Sequence, residues 1–334
     1  MTVGLGTLRS WVLLAALLAS ASGASAQSIR LATVVPEGSV WDKNLRQMAE
    51  EWSQATGGRV TVTVYGGGSQ GDEPTVLRKM RLDALQAAAF TVIGLSTIDN
   101  AFNVFDVPFF FDSYDELNHV IEKLNPVIRQ RLEAKGFMLL NWGHGGWTQV
   151  FTKKPVQTVE DLKKVKLYTS AGNDRMVQWF KSNGFEPRAM AMTDIMTGLT
   201  SGMIEGLPTP PLAALMFQWY RQTPYMLDIG LAPIVGGNVI TAKAWKSIPD
   251  ADKPKLLASA QAVEKRLRVE VPKLDQSSIE TMTKQGLHVT KATGPTWRKE
   301  LDSLAQTMRG GEMVPTDIYD MASRARDEFR KNKK

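Results

Sequence analysis

Residues 29–65 decide the fold, and they read IRLATVVPEGSVWDKNLRQMAEEWSQATGGRVTVTVY. Residues 29–35 are rich in β-branched side chains and stop at Pro36, which predicts a short strand. Residues 59–65 alternate apolar and polar side chains, as a strand with one covered face does. Between them Ser39 stands at an N-cap position before apolar side chains at helical spacing: Trp41, Leu45, Met48 and Trp52. The stretch therefore predicts a strand, a helix and a second strand.

The same alternation continues along the chain. The first half predicts helices over 72–82 and 113–135, the second opened by a capping box at Ser113 and Glu116, and strands over 85–92 and 137–141. The second half predicts strands at 150–153 and 165–168 around a capped turn at Thr158, followed by helices at about 173–183 and 193–201. Two strands broken at Gly236-Gly237 are predicted within 224–242. A long helix is predicted over 250–286, interrupted only by Pro272. Alternation of this kind predicts an α/β fold with mostly parallel sheets, in which ligands lie at the carboxyl ends of strands.

The N-terminal residues 1–26 predict export. Arg9 is followed by an apolar run over 11–19 and then by small residues that end in Ala24-Ser25-Ala26, a cleavage pattern before Gln27. The run is short for a membrane anchor, which needs roughly 20 apolar residues. We expect cleavage after Ala26 and a periplasmic mature protein.

Composition narrows the class of protein further. The chain has 334 residues, no cysteine and a net charge of +6. A disulfide scaffold is therefore excluded, and a chain of this length is expected to form two domains. The positive charge is spread along the chain except for a dense block over 324–334, which a solvated terminal helix explains better than nucleic acid does.

Sequence motifs for catalysis are weak or missing. Residues 66–71 satisfy G-x-G-x-x-G, but the following Asp72-Glu73 would repel a pyrophosphate, so a tight glycine turn is the better interpretation. The histidines His119, His144 and His288 lie far apart, and only His144 could face a cleft. We predict no catalytic residue, no metal site and no cofactor.

Several motifs, in their order and spacing, resemble the extracytoplasmic solute receptors of tripartite ATP-independent periplasmic (TRAP) transporters. The resemblance covers nearly the whole mature chain and is carried by residues 31–38 (LATVVPEG), 57–65 (GGRVTVTVY), 71–73 (GDE) with 80–82 (MRL), 107–111 (VPFFF), 155–156 (PV) with 160–163 (EDLK), and 199–202 (LTSG) with 205–206 (EG). The resemblance implies a type II periplasmic-binding-protein fold, with two α/β domains around a ligand cleft, hinge strands between them and a long helix across both. Residues 27–148 plus about 236–270 form the first predicted domain, and residues 149–235 plus about 271–334 form the second.

The chain departs from this family where the ligand is expected. Tyr168 and Trp147 stand where family members carry carboxylate-binding arginines, Thr209 replaces an asparagine, and Met192 takes the place of an aromatic residue. An arginine fork makes bidentate bonds to a carboxylate, which neither Tyr nor Trp can form. The predicted ligand-binding residues are Trp41, Gln70, Phe90, Thr91, Trp147, Tyr168, Met192, Thr209 and Phe217. Trp41, Trp147 and Tyr168 fit the interdomain core as well as a site, because large aromatics dominate both.

These departures predict a ligand other than an ordinary dicarboxylate. An aromatic or other ring-containing metabolite is one candidate, a cation held over aromatic rings is another, and Lys166 or Arg175 could still bind a monocarboxylate. The partners that the resemblance implies are the small and large membrane subunits of a TRAP permease, with no nucleic acid. Two alternatives stay open: a receptor that feeds a signalling system, and a periplasmic enzyme on the same fold.

Overall fold

Two β-sheets with helices packed on them form the frame of the protein. The computed structural model describes residues 27–292 and 295–333. The predicted export segment, residues 1–26, lies outside the described residues. In chain order the strands are β1 (Gln27–Thr33), β2 (Val60–Tyr65), β3 (Ala87–Thr91), β4 (Phe137–Trp147), β5 (Gln149–Thr152), β6 (Lys166–Ser170), β7 (Glu186–Met190), β8 (Gly206–Thr209), β9 (Tyr225–Asp228), β10 (Pro233–Thr241) and β11 (His288–Lys291).

The helices alternate with these strands over most of the chain. They are α1 (Val40–Ala55), α2 (Glu73–Arg81), α3 (Val92–Ile98), α4 (Tyr114–Ala134), α5 (Val159–Lys163), α6 (Asp174–Ser182), α7 (Ile195–Ser201), α8 (Pro211–Met216), α9 (Ala242–Ser247), α10 (Lys253–Lys284), α11 (Pro295–Gln306) and α12 (Thr316–Asn332). Short 3₁₀ turns add Asn100–Asp106, Met192–Asp194 and Trp219–Arg221.

The opening strand–helix–strand unit is confirmed. Strands β1 and β2 pair in parallel, and the side chain of Ser39 caps α1 by accepting a hydrogen bond from the Asp42 amide at 3.2 Å. Leu45, Met48 and Trp52 are buried on the inner face of α1. The first sheet has the order β2-β1-β3-β10-β4 and the second the order β11-β9-β5-β8-β6-β7. Parallel pairs dominate except around β10 and β5, which run antiparallel to their neighbours. The predicted fold class is confirmed.

Two short chain segments and one long helix connect the two sheets. Strand β4 in the first sheet is followed after one residue by β5 in the second, and residues 229–232 lead back from β9 to β10. Helix α10 spans both halves: Val263 and Val271 lie in the core of the first, and Met282 lies in the core of the second. Pro272 lies inside this helix without ending it, so the predicted interruption was wrong.

Helix α12 packs differently from the predicted division of the chain, which assigned it to the second domain. Its buried residues Ile318, Ala322 and Ala325 belong to the same core cluster as α4. Arg330 near its end also binds Glu116 of α4, at 2.8 Å. The apolar face of α12 therefore groups this helix with the first sheet.

Candidate functional site

A cavity of about 180 Å³ lies between the two sheets. It is bordered by residues at or just beyond the carboxyl ends of parallel strands, including Val34 after β1, Thr91 of β3 and Thr209 of β8. Most of its wall is apolar or aromatic, and the large side chains are Trp41, Phe90, Tyr168, Met192, Phe217 and Trp219. This is the position at which α/β sheets bind ligands.

Most of the predicted site residues are brought together here. Those that line the cavity are Trp41, Phe90, Thr91, Tyr168, Met192, Thr209 and Phe217. They come from six places in the chain, from the start of α1 to the turn after α8. Their contact with a ligand stays a prediction, because a shared cavity shows proximity alone.

Gln70 and Trp147 do not line this cavity. The backbone and side-chain oxygens of Gln70 accept hydrogen bonds from the Lys79 ammonium, at 2.8 and 3.1 Å. The Trp147 ring packs edge-on against Tyr114, with ring centroids 5.2 Å apart. As the last residue of β4, Trp147 lies where the chain leaves the first sheet, beside the cleft rather than in it.

The two basic residues considered for a monocarboxylate are not in the wall either. Arg175 forms an ion pair with Glu312, 3.8 Å away, and Lys166 begins β6 outside this cavity. A second cavity, described below, adjoins the first, and among the residues that the structure describes neither cavity is lined by a lysine or an arginine.

His144 of β4 is buried in the wall and has a free ring nitrogen. Its Nε2 atom has no hydrogen-bond partner within the described part of the chain. Burial, and next the charge of Arg268, lower the pKa of His144 to about 4, so the ring is neutral at pH 7. Its carbonyl oxygen accepts a hydrogen bond from the Trp41 indole at 2.9 Å, which fixes the orientation of Trp41.

The Tyr168 hydroxyl is the second polar group of the wall without a partner. Tyr168 is 8% exposed. The Ser170 hydroxyl is near enough to lower its pKa slightly, but it donates its own hydrogen bond to the Ala171 carbonyl, and no bond of ordinary geometry reaches the Tyr168 oxygen. Burial is the largest effect and raises the pKa of Tyr168 above its ordinary range, so the hydroxyl stays protonated.

Glu73 places a carboxylate in the same wall, at the start of α2. It accepts hydrogen bonds from the Thr91 amide (2.8 Å), the Thr91 hydroxyl (2.9 Å) and the Gly94 amide (2.6 Å). Burial outweighs these bonds and raises the pKa of Glu73 to about 6. The sequence shows only an acidic residue at a helix start, and it gives no sign that α2 points this carboxylate toward β3.

A second cavity, of about 200 Å³, adjoins the first. The residues common to both walls are Thr91, Ile93, Tyr168, Pro208 and Ile234. Asp106 lines the second cavity, at the end of a 3₁₀ turn. Burial, and next the negative charge of Glu73, raise the pKa of Asp106 to about 7. Two acidic groups therefore line adjoining cavities in which, among the described residues, no lysine or arginine lies and His144 is neutral.

Further properties concern metal binding and membranes. Over residues 27–292 and 295–333, no group of three histidine or acidic residues is arranged to hold a metal ion. Within the same residues, no helix has both the length and the apolar character that a membrane crossing requires.

Comparisons with known proteins agree with the fold and the cleft. Residues 31–310 match the family model described as bacterial extracellular solute-binding protein, family 7. A solute-binding protein of Chromohalobacter salexigens is 26% identical over 290 residues, which are 84% of this chain and 85% of that protein.

Two solved structures have the same fold. One, from Desulfovibrio salexigens with bound orotic acid, has a TM-score of 0.84 and 13% identity, and the match covers 90% of this chain and 99% of that one. The other, from Xanthobacter autotrophicus with bound β-D-galacturonate, has a TM-score of 0.82, 20% identity and the same coverage of the two chains. Both are described as TRAP periplasmic solute binding proteins, and they share the fold that the resemblance noted in the sequence implied. Because the family model spans most of its length, this chain belongs to family 7 of the bacterial extracellular solute-binding proteins.

Proposed function

We propose that this protein is the periplasmic receptor of a TRAP-type transporter, and that it closes its cleft on a small ring-containing metabolite that is not a dicarboxylate. It reaches the periplasm after cleavage behind Ala26, delivers its ligand to the small and large permease subunits, and catalyses no reaction. The observation that carries the ligand class is the wall of the cleft, which is mostly aromatic and apolar. It contains acidic side chains but, among the described residues, no lysine or arginine.

The acidic side chains of the wall disfavour carboxylate ligands of the kind that proteins with the same fold bind. Galacturonate and orotate are bound by two proteins that share this fold. A carboxylate placed beside Glu73 without a cation would be destabilised by repulsion and by loss of hydration. Flat aromatic surface is provided by Trp41 and by Phe217, which stacks on Trp219 with centroids 4.5 Å apart. A flat, weakly charged or cationic ring therefore suits this cleft better than a sugar acid does.

Closure is supported by the contact between the two sides of the cleft. A side-chain carbon added at Gly68, in the loop after β2, would lie 2.8 Å from Cγ2 of Thr193 in the other half. A carbon added at Gly172 would lie 2.9 Å from the Pro74 ring. The two halves therefore already approach closely at these loops, as they do when a receptor closes on its ligand.

A thermal-shift screen of ligand-stripped protein tests this function. Ligands that bind the native state raise the melting temperature by mass action. The panel contains C4-dicarboxylates, sugar acids, orotate, neutral aromatics and aromatic amines. We expect the largest shift from a ring-containing compound that is not a dicarboxylate. If succinate or malate gives the largest shift, the proposed ligand class is wrong. Uptake of the same compound by cells that need both this protein and the permease subunits tests delivery.

A further inference from the structure

We propose that the ligand carries a protonated amine, which lies between the carboxyl groups of Glu73 and Asp106 next to the Tyr168 hydroxyl, while its ring packs against Trp41 and Phe217. This inference rests on the proposed function and narrows its ligand to a class, the ring-containing amines.

Charge balance is the first argument. Glu73 and Asp106 line adjoining cavities, and within the described residues no lysine or arginine lines either one. Glu73 is buried and Asp106 is partly buried. Two such carboxylates without a cation are unfavourable, since each loses hydration and repels the other. The raised pKa values of both groups reflect this cost. An ammonium ion from the ligand supplies the missing positive charge.

The available acceptors are the second argument. Glu73 already accepts three hydrogen bonds, so it contributes mainly charge and one remaining acceptor site. No side chain or backbone group in the described residues makes a hydrogen bond or an ion pair with the Asp106 carboxylate. Asp106 is therefore the acceptor with free capacity, and a charge-assisted bond to it would be among the stronger contacts of the site.

Tyr168 supplies an independent indication of a ligand at this place. Its hydroxyl is buried and has no partner, and Tyr168 lines both cavities. Buried polar groups are nearly always hydrogen-bonded, so an orphaned one in a cavity wall indicates a missing partner. An ammonium group has three donors, and Asp106, Glu73 and Tyr168 offer it three oxygen acceptors.

The wall around these acceptors favours an organic cation over a metal ion. Hard metal ions require several oxygen ligands around them, whereas three of the five residues shared by both cavities are apolar: Ile93, Pro208 and Ile234. The apolar part of an amine would be buried against those side chains, and aromatic rings attract cations over their faces.

Three compounds with one ring and different charges test the inference: 2-phenylethylamine, 2-phenylethanol and phenylacetate, each titrated calorimetrically into ligand-stripped protein. We expect the amine to bind most tightly. Asp106→Asn should weaken amine binding by about tenfold or more, because a hydrogen bond to a charged group is lost, and leave the alcohol unchanged. Asp112→Asn is the matched control, since Asp112 pairs with Arg330 outside both interdomain cavities. It should change neither affinity.

The remaining outcomes separate this inference from the proposed function. Equal binding of the amine and the alcohol, or amine binding that Asp106→Asn does not weaken, overturns the amine assignment but leaves a receptor for neutral rings. Tightest binding by phenylacetate overturns the amine assignment, and it also contradicts the reasoning that the cleft repels carboxylates. Absence of binding by all three compounds overturns the amine assignment while the wider thermal-shift panel still tests the receptor.

Discussion

Substitution of Tyr168 tests whether its hydroxyl binds the ligand or only belongs to the packed core. Because it is buried without a hydrogen-bond partner, its removal relieves a desolvation cost of about 1–3 kcal/mol. We expect Tyr168→Phe to keep or raise the melting temperature of the ligand-free protein while weakening binding of the strongest ligand in the thermal-shift panel. Differential scanning calorimetry and titration measure the two effects.

Tyr220 is the matched control for this substitution. Its hydroxyl donates a hydrogen bond to the Gln285 side chain, so Tyr220→Phe should lower the melting temperature and leave affinity unchanged. A loss of stability in Tyr168→Phe as large as that in Tyr220→Phe would assign the Tyr168 hydroxyl to the core.

Asp106 predicts a specific dependence of stability on pH. Its folded pKa of about 7 lies above the ordinary value of 3.8, so the folded state holds a proton that the unfolded state releases between these values. The contribution of this group is therefore fully present below about pH 4 and is lost as the pH rises through 7. We expect Asp106→Asn to raise the free energy of unfolding at pH 8, with a gain that shrinks toward pH 5.

Urea unfolding of wild type and Asp106→Asn at both pH values measures this difference. The comparison with wild type is needed because His144, whose pKa is lowered to about 4, acts in the opposite direction between about pH 6.5 and 4. A gain in Asp106→Asn that is the same at pH 5 and pH 8 would show that the group does not titrate in this range.

Individual site residues were predicted best where a strand end fixes them. Phe90 and Thr91 close β3 and line the cavity, as strand-end residues of such sheets do. Trp147 was misplaced because the sequence does not show on which side of the crossing its ring lies. Asp106 was not anticipated, since nothing in its local sequence indicates that a 3₁₀ turn faces it toward β6.

Capping signals located the helices well, and tertiary contacts explain the exceptions. Thr158 and Asp161 form the complete capping box. At α4 only half of the box forms: Ser113 accepts from the Glu116 amide, but the Glu116 carboxylate binds the Asp112 amide and Arg330 of α12 instead. A distant helix therefore changed a local motif.

The predicted break at Gly236-Gly237 was wrong for a packing reason. Both glycines lie inside β10, and the true break falls at 229–232. A side-chain carbon at Gly236 would lie 2.5 Å from the Phe90 carbonyl oxygen, and one at Gly237 would lie 2.7 Å from Leu139. The glycines permit close packing within and around the sheet, which the sequence cannot distinguish from a turn.

Asp275 of α10 joins the elements that meet at the hinge. Its carboxylate accepts hydrogen bonds from the Trp147 amide at 2.8 Å and from the Leu212 amide at 3.0 Å. Asp275→Ala leaves two amide groups without an acceptor, at a cost of about 1–3 kcal/mol for each group that stays buried. We expect a lower melting temperature, a smaller loss in Asp275→Asn and no change in the exposed control Gln276→Ala. Equal melting temperatures for Asp275→Ala and Gln276→Ala would contradict this role.

The whole molecule was predictable as an α/β receptor because its strand–helix alternation and its motifs agree. The two α/β halves and the long helix across both followed from the resemblance, whereas the place of α12 did not. Long-range packing decides that place: Ile318 and Ala322 are apolar at helical spacing, but spacing does not say which core covers them. The predicted domain boundaries therefore stay predictions.

Closure of the two halves gives a prediction for Gly68. A side-chain carbon there would clash with Thr193 across the cleft, so Gly68→Ala should favour the open state and weaken ligand binding. Gly38→Ala is the control: Gly38 has a similar φ of +75°, but no atom lies within 4 Å of the added carbon. Both variants should lose roughly 1–2 kcal/mol of stability from backbone strain. Equal affinities, measured by titration of the strongest ligand in the thermal-shift panel, would show that this contact does not limit closure.

The central claim is that the ligand of this cleft is a ring-containing compound without a carboxylate, because no described lysine or arginine lines the cleft to bind one. Calorimetric titration of ligand-stripped protein with orotate and with 2-phenylethylamine in the same buffer tests it most directly, since both compounds are flat rings of opposite charge. We predict binding of the amine and none of orotate at millimolar concentration. Binding of orotate that is tighter than that of the amine would contradict the account.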